Sequence, residues 1–115
     1  MGSYADDALF MSRNNIEYVE LISDDGKSKV MVIPAWQGRV MTTSAAGDEG
    51  DSYGWINYSF IKKRQIDLQF NPVGGEERFW LGPEGGVFSL YFRQGEKQIY
   101  KNWKVPPVLD IEAFK

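Results

Sequence analysis

The chain contains no cysteine and no histidine in its 115 residues. Without cysteine there is no disulfide and no thiolate nucleophile, and the redox compartment leaves no trace in the sequence. Without histidine the commonest general base, the usual zinc ligand and every Ser-His or Cys-His pairing are excluded. No apolar stretch approaches the roughly 20 residues of a membrane-spanning helix. Met1 to Phe10 lack both the basic start and the apolar centre of a secretory signal, so none is expected. Positive charge is also sparse. The net charge is −3, and Lys62-Lys63-Arg64 is the only basic run. Nucleic-acid affinity rests on several phosphate contacts. Three adjacent cations read instead as a solvated helix end or turn, and no nucleic-acid partner is expected.

What is present is aromatic residues, at 15%, and 12 glycines, which together point to short strands joined by tight turns. The length allows one domain, residues 1–115, burying roughly two-thirds of its unfolded surface. Ser3 to Arg13 reads as a short helix: Ser3 is its cap, Asp6 sits at the capping-box spacing, and Asp6 and Asp7 suit the positive N-terminal end. Ile16–Ser23 and Ser28–Ala35 are β-branched runs around Asp24-Asp25-Gly26-Lys27. They predict a hairpin whose two central turn residues, Asp25 and Gly26, take positive φ. Pro34 ends the second strand, and Gly38–Ser44 supplies another. Trp55, Tyr58, Ser59 and Lys62 have helical spacing, which predicts a short helix or turn within Tyr53–Arg64. Strands are expected near Ile66–Phe70 and over Val87–Arg93, the latter with Phe88, Leu90 and Phe92 facing the core.

The segment Gly74–Gly86 concentrates side chains that carry chemistry. Glu76, Glu77 and Glu84 offer carboxylates for proton transfer or glycoside chemistry. Arg78 offers a bidentate donor for a carboxylate or a sugar hydroxyl, and Trp80 a flat apolar face for stacking on a sugar ring. The competing reading is structural: glycines in turns, Phe79 and Trp80 in the core, and Arg78 in an internal ion pair. Oxygen ligands for calcium exist in Glu76, Glu77, Asp48 and Asp51. No loop has the spacing of an EF-hand, so neither a metal nor any other cofactor is expected.

Three segments together carry a resemblance: Pro34-Ala35-Trp36-Gln37-Gly38-Arg39-Val40-Met41-Thr42, Tyr53-Gly54-Trp55-Ile56-Asn57, and Gly74 through Gly86. They resemble an uncharacterised bacterial family similar in fold to galactose mutarotases and other sugar-binding super-sandwich proteins. The resemblance runs from about Tyr4 to Phe114 and implies the N-terminal part of a longer architecture, with a periplasmic or extracellular location. It adds Arg39, Trp36 and Asn57 as candidates for a common cleft, against a reading of Trp36 and Trp55 as core anchors. Mutarotases use a histidine acid and a glutamate base, and this chain has no histidine, so the catalytic residues are unknown.

The expectation is therefore an all-β antiparallel sandwich, a fragment of a mutarotase-like super-sandwich with a short N-terminal helix. Its expected role is to bind or process carbohydrate through Arg39, Glu76, Glu77, Arg78, Trp80 and Glu84. The alternative is a non-catalytic structural or self-associating module. A partial sandwich leaves strand edges and apolar surface uncovered, so a homo-oligomer is expected.

Overall fold

The computed structural model describes residues 2–115. Helix α1, Tyr4–Arg13, begins at the predicted capping box. The Ser3 hydroxyl accepts from Asp6 N at 3.2 Å, and Ser3 N donates to the Asp6 carboxylate at 3.3 Å. Tyr4, Asp7 and Met11 are buried at spacings of three and four, so one face of the helix packs inward. At the far end the Asn14 side-chain amide donates to Phe10 O, and Asn15 turns the chain away at a φ of 57°.

Three antiparallel strands follow in spatial order: β1 Val19–Ile22, β2 Lys29–Ile33 and β3 Arg39–Ser44. Alternation along β2 places Met31 and Ile33 in the core and Val30 and Val32 on the opposite face. Register shifts between Met31, opposite Thr42, and Val32, opposite Val40. Met41 is the extra residue of this bulge, so Met41 and Thr42 are buried side by side. Met31, Ile33 and Met41 join Tyr4, Met11, Ile56, Ile61 and Val73 in the main core. Helix α2, Tyr58–Lys63, closes over it, capped by the Asn57 side chain accepting from Phe60 N. Gly54 lets the chain approach β3, because a Cβ there would stand 2.0 Å from Met41 O.

The second half is held differently. Tyr91, Val105 and Leu109 form a smaller cluster with Phe70, Trp80, Phe92 and Trp103 packed against it. Its regular structure is a turn of 3₁₀ helix at Tyr100–Asn102 and the short helix α3, Pro107–Asp110. With two cores in line the molecule is elongated, 53 × 27 × 26 Å. Its radius of gyration of 16.1 Å exceeds the roughly 13 Å of a compact chain of this length.

The expected antiparallel sheet is therefore present, accompanied by short helices, and the all-β reading is too narrow. Among the described residues the sheet is a single layer. The hairpin forms, but Asp25 does not take positive φ; Gly26 alone does, at 73°. The reason is a longer loop, in which the Asp25 carboxylate accepts from Ser23 Oγ and from Lys27 N. These bonds hold the Asp25 carboxyl below its ordinary range.

Two predicted strands are absent. At Ile66–Phe70, Asp67 Oδ1 takes the N–H groups of Gln69 and Phe70, and the Asn71 side chain bonds both Asp67 N and Asp67 O. At Val87–Arg93, Ser89 Oγ donates to Glu84 O and accepts from Tyr91 N. In both, side chains engage backbone groups that a ladder needs. The expected inward face is not kept either: Phe88 and Leu90 are 83% and 56% exposed, only Phe92 packs inward, and Tyr91 beside it is 1% exposed. Tyr91 is drawn in by its hydroxyl bond to Leu81 O and by stacking on Trp80 at 5.0 Å.

Candidate functional site

Arg39, the first residue of β3, turns its side chain inward and is 3% exposed. Its place is made by Gly74 and Gly75, whose φ values of 97° and 109° suit glycine. A Cβ on Gly75 would stand 2.8 Å from Arg39 Cδ, and one on Gly74 would stand 2.2 Å from Trp55 O. The glycine pair thus lays backbone directly over the guanidinium, and Arg39 Nη1 donates to Gly74 O at 2.8 Å. Arg39 Nε is buried with no hydrogen-bond partner among the described residues. Burial, reinforced by the nearby Arg78, pushes the Arg39 pKa down to about 10.

Arg78 lies on the side of the second cluster. Its Nη2 donates to Leu109 O at 2.5 Å and to Asp110 Oδ1 at 3.3 Å. The guanidinium sits 4.5 Å from the Trp80 ring centroid and 5.9 Å from that of Phe70. Asp110 is buried, and its other oxygen, Oδ2, accepts from Asn71 N at 2.7 Å and from Asn71 Nδ2 at 2.8 Å. Both Asp110 oxygens are therefore occupied.

Arg39, Asn71 and Asp110 form the polar wall of a cavity of about 360 Å³. Trp36, Phe60, Ile61 and Ile66 contribute the apolar wall, and Arg64 stands exposed at its edge. Trp36 is carried there by a 3₁₀ turn, Pro34–Trp36, which Gln37 closes at a φ of 61°. The volume lies in the range of small-molecule sites, roughly 300–1,000 Å³. An aromatic face beside a guanidinium can stack on the apolar side of a ligand, and Arg64 and Gln65 at the edge can hydrogen-bond its polar rim.

The six residues expected to bind substrate do not converge. Arg39 borders the cavity. Arg78 is adjacent to it in charge and contact, through Asp110. Trp80 stacks on Tyr91 in the second cluster, and its indole N–H donates to Glu84 at 2.6 Å. Glu76 is exposed, with Thr43 Oγ1 donating to its carboxylate at 2.8 Å. Glu77 is exposed as well, and its backbone pairs with Val40. Asn57 serves as the cap of α2 and donates to Pro72 O. Trp36 packs against the main core, whereas Trp55 is 64% exposed, so the anchor reading fails for Trp55. Its carbonyl, not its ring, is used, accepting from Gly75 N. Among the described residues no group of three or more acidic side chains comes together to hold a metal, and Asp48 pairs instead with Lys29.

Sequence reasoning missed Asn71 and Asp110. The available signal was an acidic residue set between Leu109 and Ile111 after a Pro-Pro step, an unusual place for a charge that faces solvent. No helix among the described residues is long and apolar enough to cross a membrane. No curated protein and no solved structure matches the chain. A family model does match, over residues 2–115, and the chain belongs to that family, DUF6786, a family of unknown function.

Proposed function

We propose that this protein binds a carbohydrate in the cavity between Trp36, Phe60 and Arg39, and that its three-stranded sheet is one layer of a mutarotase-like sandwich. The observation that carries the reading is the cavity wall itself. Trp36 and Phe60 offer flat apolar surface, while Arg39 and, at the edge, Arg64 and Gln65 offer polar groups beside it. A pyranose has the same division, with apolar C–H faces and a rim of hydroxyls. The proposal includes no catalytic step. The test is thermal unfolding against a panel of neutral and acidic mono- and oligosaccharides. Binding to the folded state raises the melting temperature by mass action, by about 2.7 kcal/mol of stability at a hundred times Kd. A saturable shift that Trp36→Ala abolishes supports the site; a flat response from a folded sample refutes it.

A second reading, a self-associating module, is favoured by the outer face of the sheet. Val19 and Leu21 are 51% and 59% exposed and lie opposite Val32 and Val30, with Val40 beside Val32. β1 is also an edge strand. In this reading a second copy covers that face. Sedimentation of the wild-type protein is then concentration-dependent, and Leu21→Lys reduces the association while changing monomer stability by less than about 0.5 kcal/mol. A monomer at all concentrations removes this reading.

A further inference from the structure

The charge in and behind the cavity wall does not balance. Arg39 has a second guanidinium, Arg78, close enough to disfavour its charged form, and one buried carboxylate, Asp110, is paired with Arg78. Both oxygens of Asp110 are already engaged by Arg78 and Asn71. Arg64, the C-cap of α2, adds a further positive charge at the rim. The titratable residues lining the cavity are thus two arginines and one fully committed aspartate.

The geometry of Arg39 is specific about what is missing. Its Nη1 is fixed to Gly74 O, while Nε, on the opposite edge of the guanidinium, is buried and has no partner among the described residues. The Nε–Nη2 edge is the one that grips a carboxylate with two parallel N–H···O bonds. An unpaired buried donor on a charged group is costly, and a ligand carboxylate relieves both the missing bond and the excess charge. Pairing with a ligand requires the Arg39 side chain to turn that edge, now buried, toward the cavity it lines.

We infer that the cavity selects a carboxylate-bearing ligand, an acidic sugar such as a uronate, whose carboxylate pairs with Arg39 while its ring lies against Trp36 and Phe60. The sugar part of this inference rests on the proposed carbohydrate reading; the carboxylate part rests on Arg39 alone. Arg64 supplies long-range attraction at the mouth, so binding weakens as salt is raised.

Calorimetric titration of the full chain with four ligands tests it: galacturonate, galactose, benzoate and cyclohexanecarboxylate. The expected result is galacturonate bound roughly tenfold or more tightly than galactose, the scale of one charge-assisted pair. Arg64→Gln, a surface change that leaves the core untouched, is expected to weaken galacturonate a few-fold and to flatten the salt dependence. Arg39→Lys retains the charge but loses the bidentate edge, and is expected to remove most of the preference; its far-ultraviolet circular dichroism reports whether it folds. Equal affinity for galactose and galacturonate overturns the acidic selection and leaves the sugar site standing. Tight benzoate with no sugar bound sustains the carboxylate site and overturns the sugar. No binding of any of the four overturns both.

Discussion

At the scale of single residues, the site depends on groups that tolerate little change. Gly74→Ala imposes a side chain at a φ of 97° and a contact of 2.2 Å with Trp55 O. The backbone conformation alone costs about 1–3 kcal/mol, and the clash adds to it, so urea unfolding is expected to show a loss above that range's lower half. Asp110→Ala leaves the Arg78 guanidinium without its carboxylate and the Asn71 backbone N–H without its acceptor in the interior. Breaking one side of a buried pair costs about 3–5 kcal/mol, and the melt is expected to report a loss of that order.

Asp7 is a buried carboxyl that makes its own contribution to the pH dependence. It is 3% exposed, accepts a hydrogen bond from the Tyr58 hydroxyl, and has its pKa raised above the ordinary 3.8, chiefly by burial. A carboxyl whose folded pKa lies above its unfolded value binds more protons in the folded state between the two. Its contribution to stability therefore grows as pH falls from above the raised value toward 3.8, and is lost as pH rises again. Asp7→Asn keeps an oxygen acceptor for Tyr58 and cannot ionise. It is expected to be more stable than wild type at neutral pH and to show a flatter melting-temperature profile through the acid range. An unchanged profile contradicts this assignment.

At the scale of elements, the signals that were legible are those settled within a few residues. Ser3 and Asp6 declared the start of α1, and the basic run Lys62-Lys63-Arg64 marked the end of α2, whereas the Asn57 cap went unread. Ser3→Ala is expected to cost about 1 kcal/mol, as loss of an N-cap does, read as a lower urea midpoint with an unchanged slope. β2 and β3 were legible from their β-branched runs. Ile66–Phe70 and Val87–Arg93 were not, because alternation alone counts side chains and ignores where backbone groups bond. Asp67, Asn71 and Ser89 satisfy those groups locally, and turns result. Of the candidate site, Arg39 was legible as a residue type but not as a buried one. Asn71 and Asp110 were not, since their pairing spans 39 positions and only the tertiary fold makes it.

At the scale of the whole molecule, two clusters in line give an elongated body that leaves much apolar surface open. Leu21, Trp55, Ile66, Leu68, Phe88 and Leu90 are all more than half exposed. Surface of this kind is where another layer or another copy docks. It explains why the sandwich and the self-association readings arise from the same features, and why the cavity provides the cleaner test. Its walls come from β3, α2 and the segment ending at Asp110, so a bound ligand ties the main core to the C-terminal segment. Ligand binding is accordingly expected to protect amide protons of Asn71 and Ile111 from exchange as well as those of α2.

The most direct measurement is a titration of the ¹⁵N-labelled protein with galacturonate, followed in the ¹H–¹⁵N correlation spectrum. Binding in the cavity predicts saturable shifts at the Trp36 indole, the Asn71 side-chain amide and the backbone of Ile61 and Ile111, with the exposed Trp55 and half-buried Trp80 indoles unmoved. Saturable shifts confined to Trp80, Glu84 and their neighbours, or no saturable shift at all, would contradict the account.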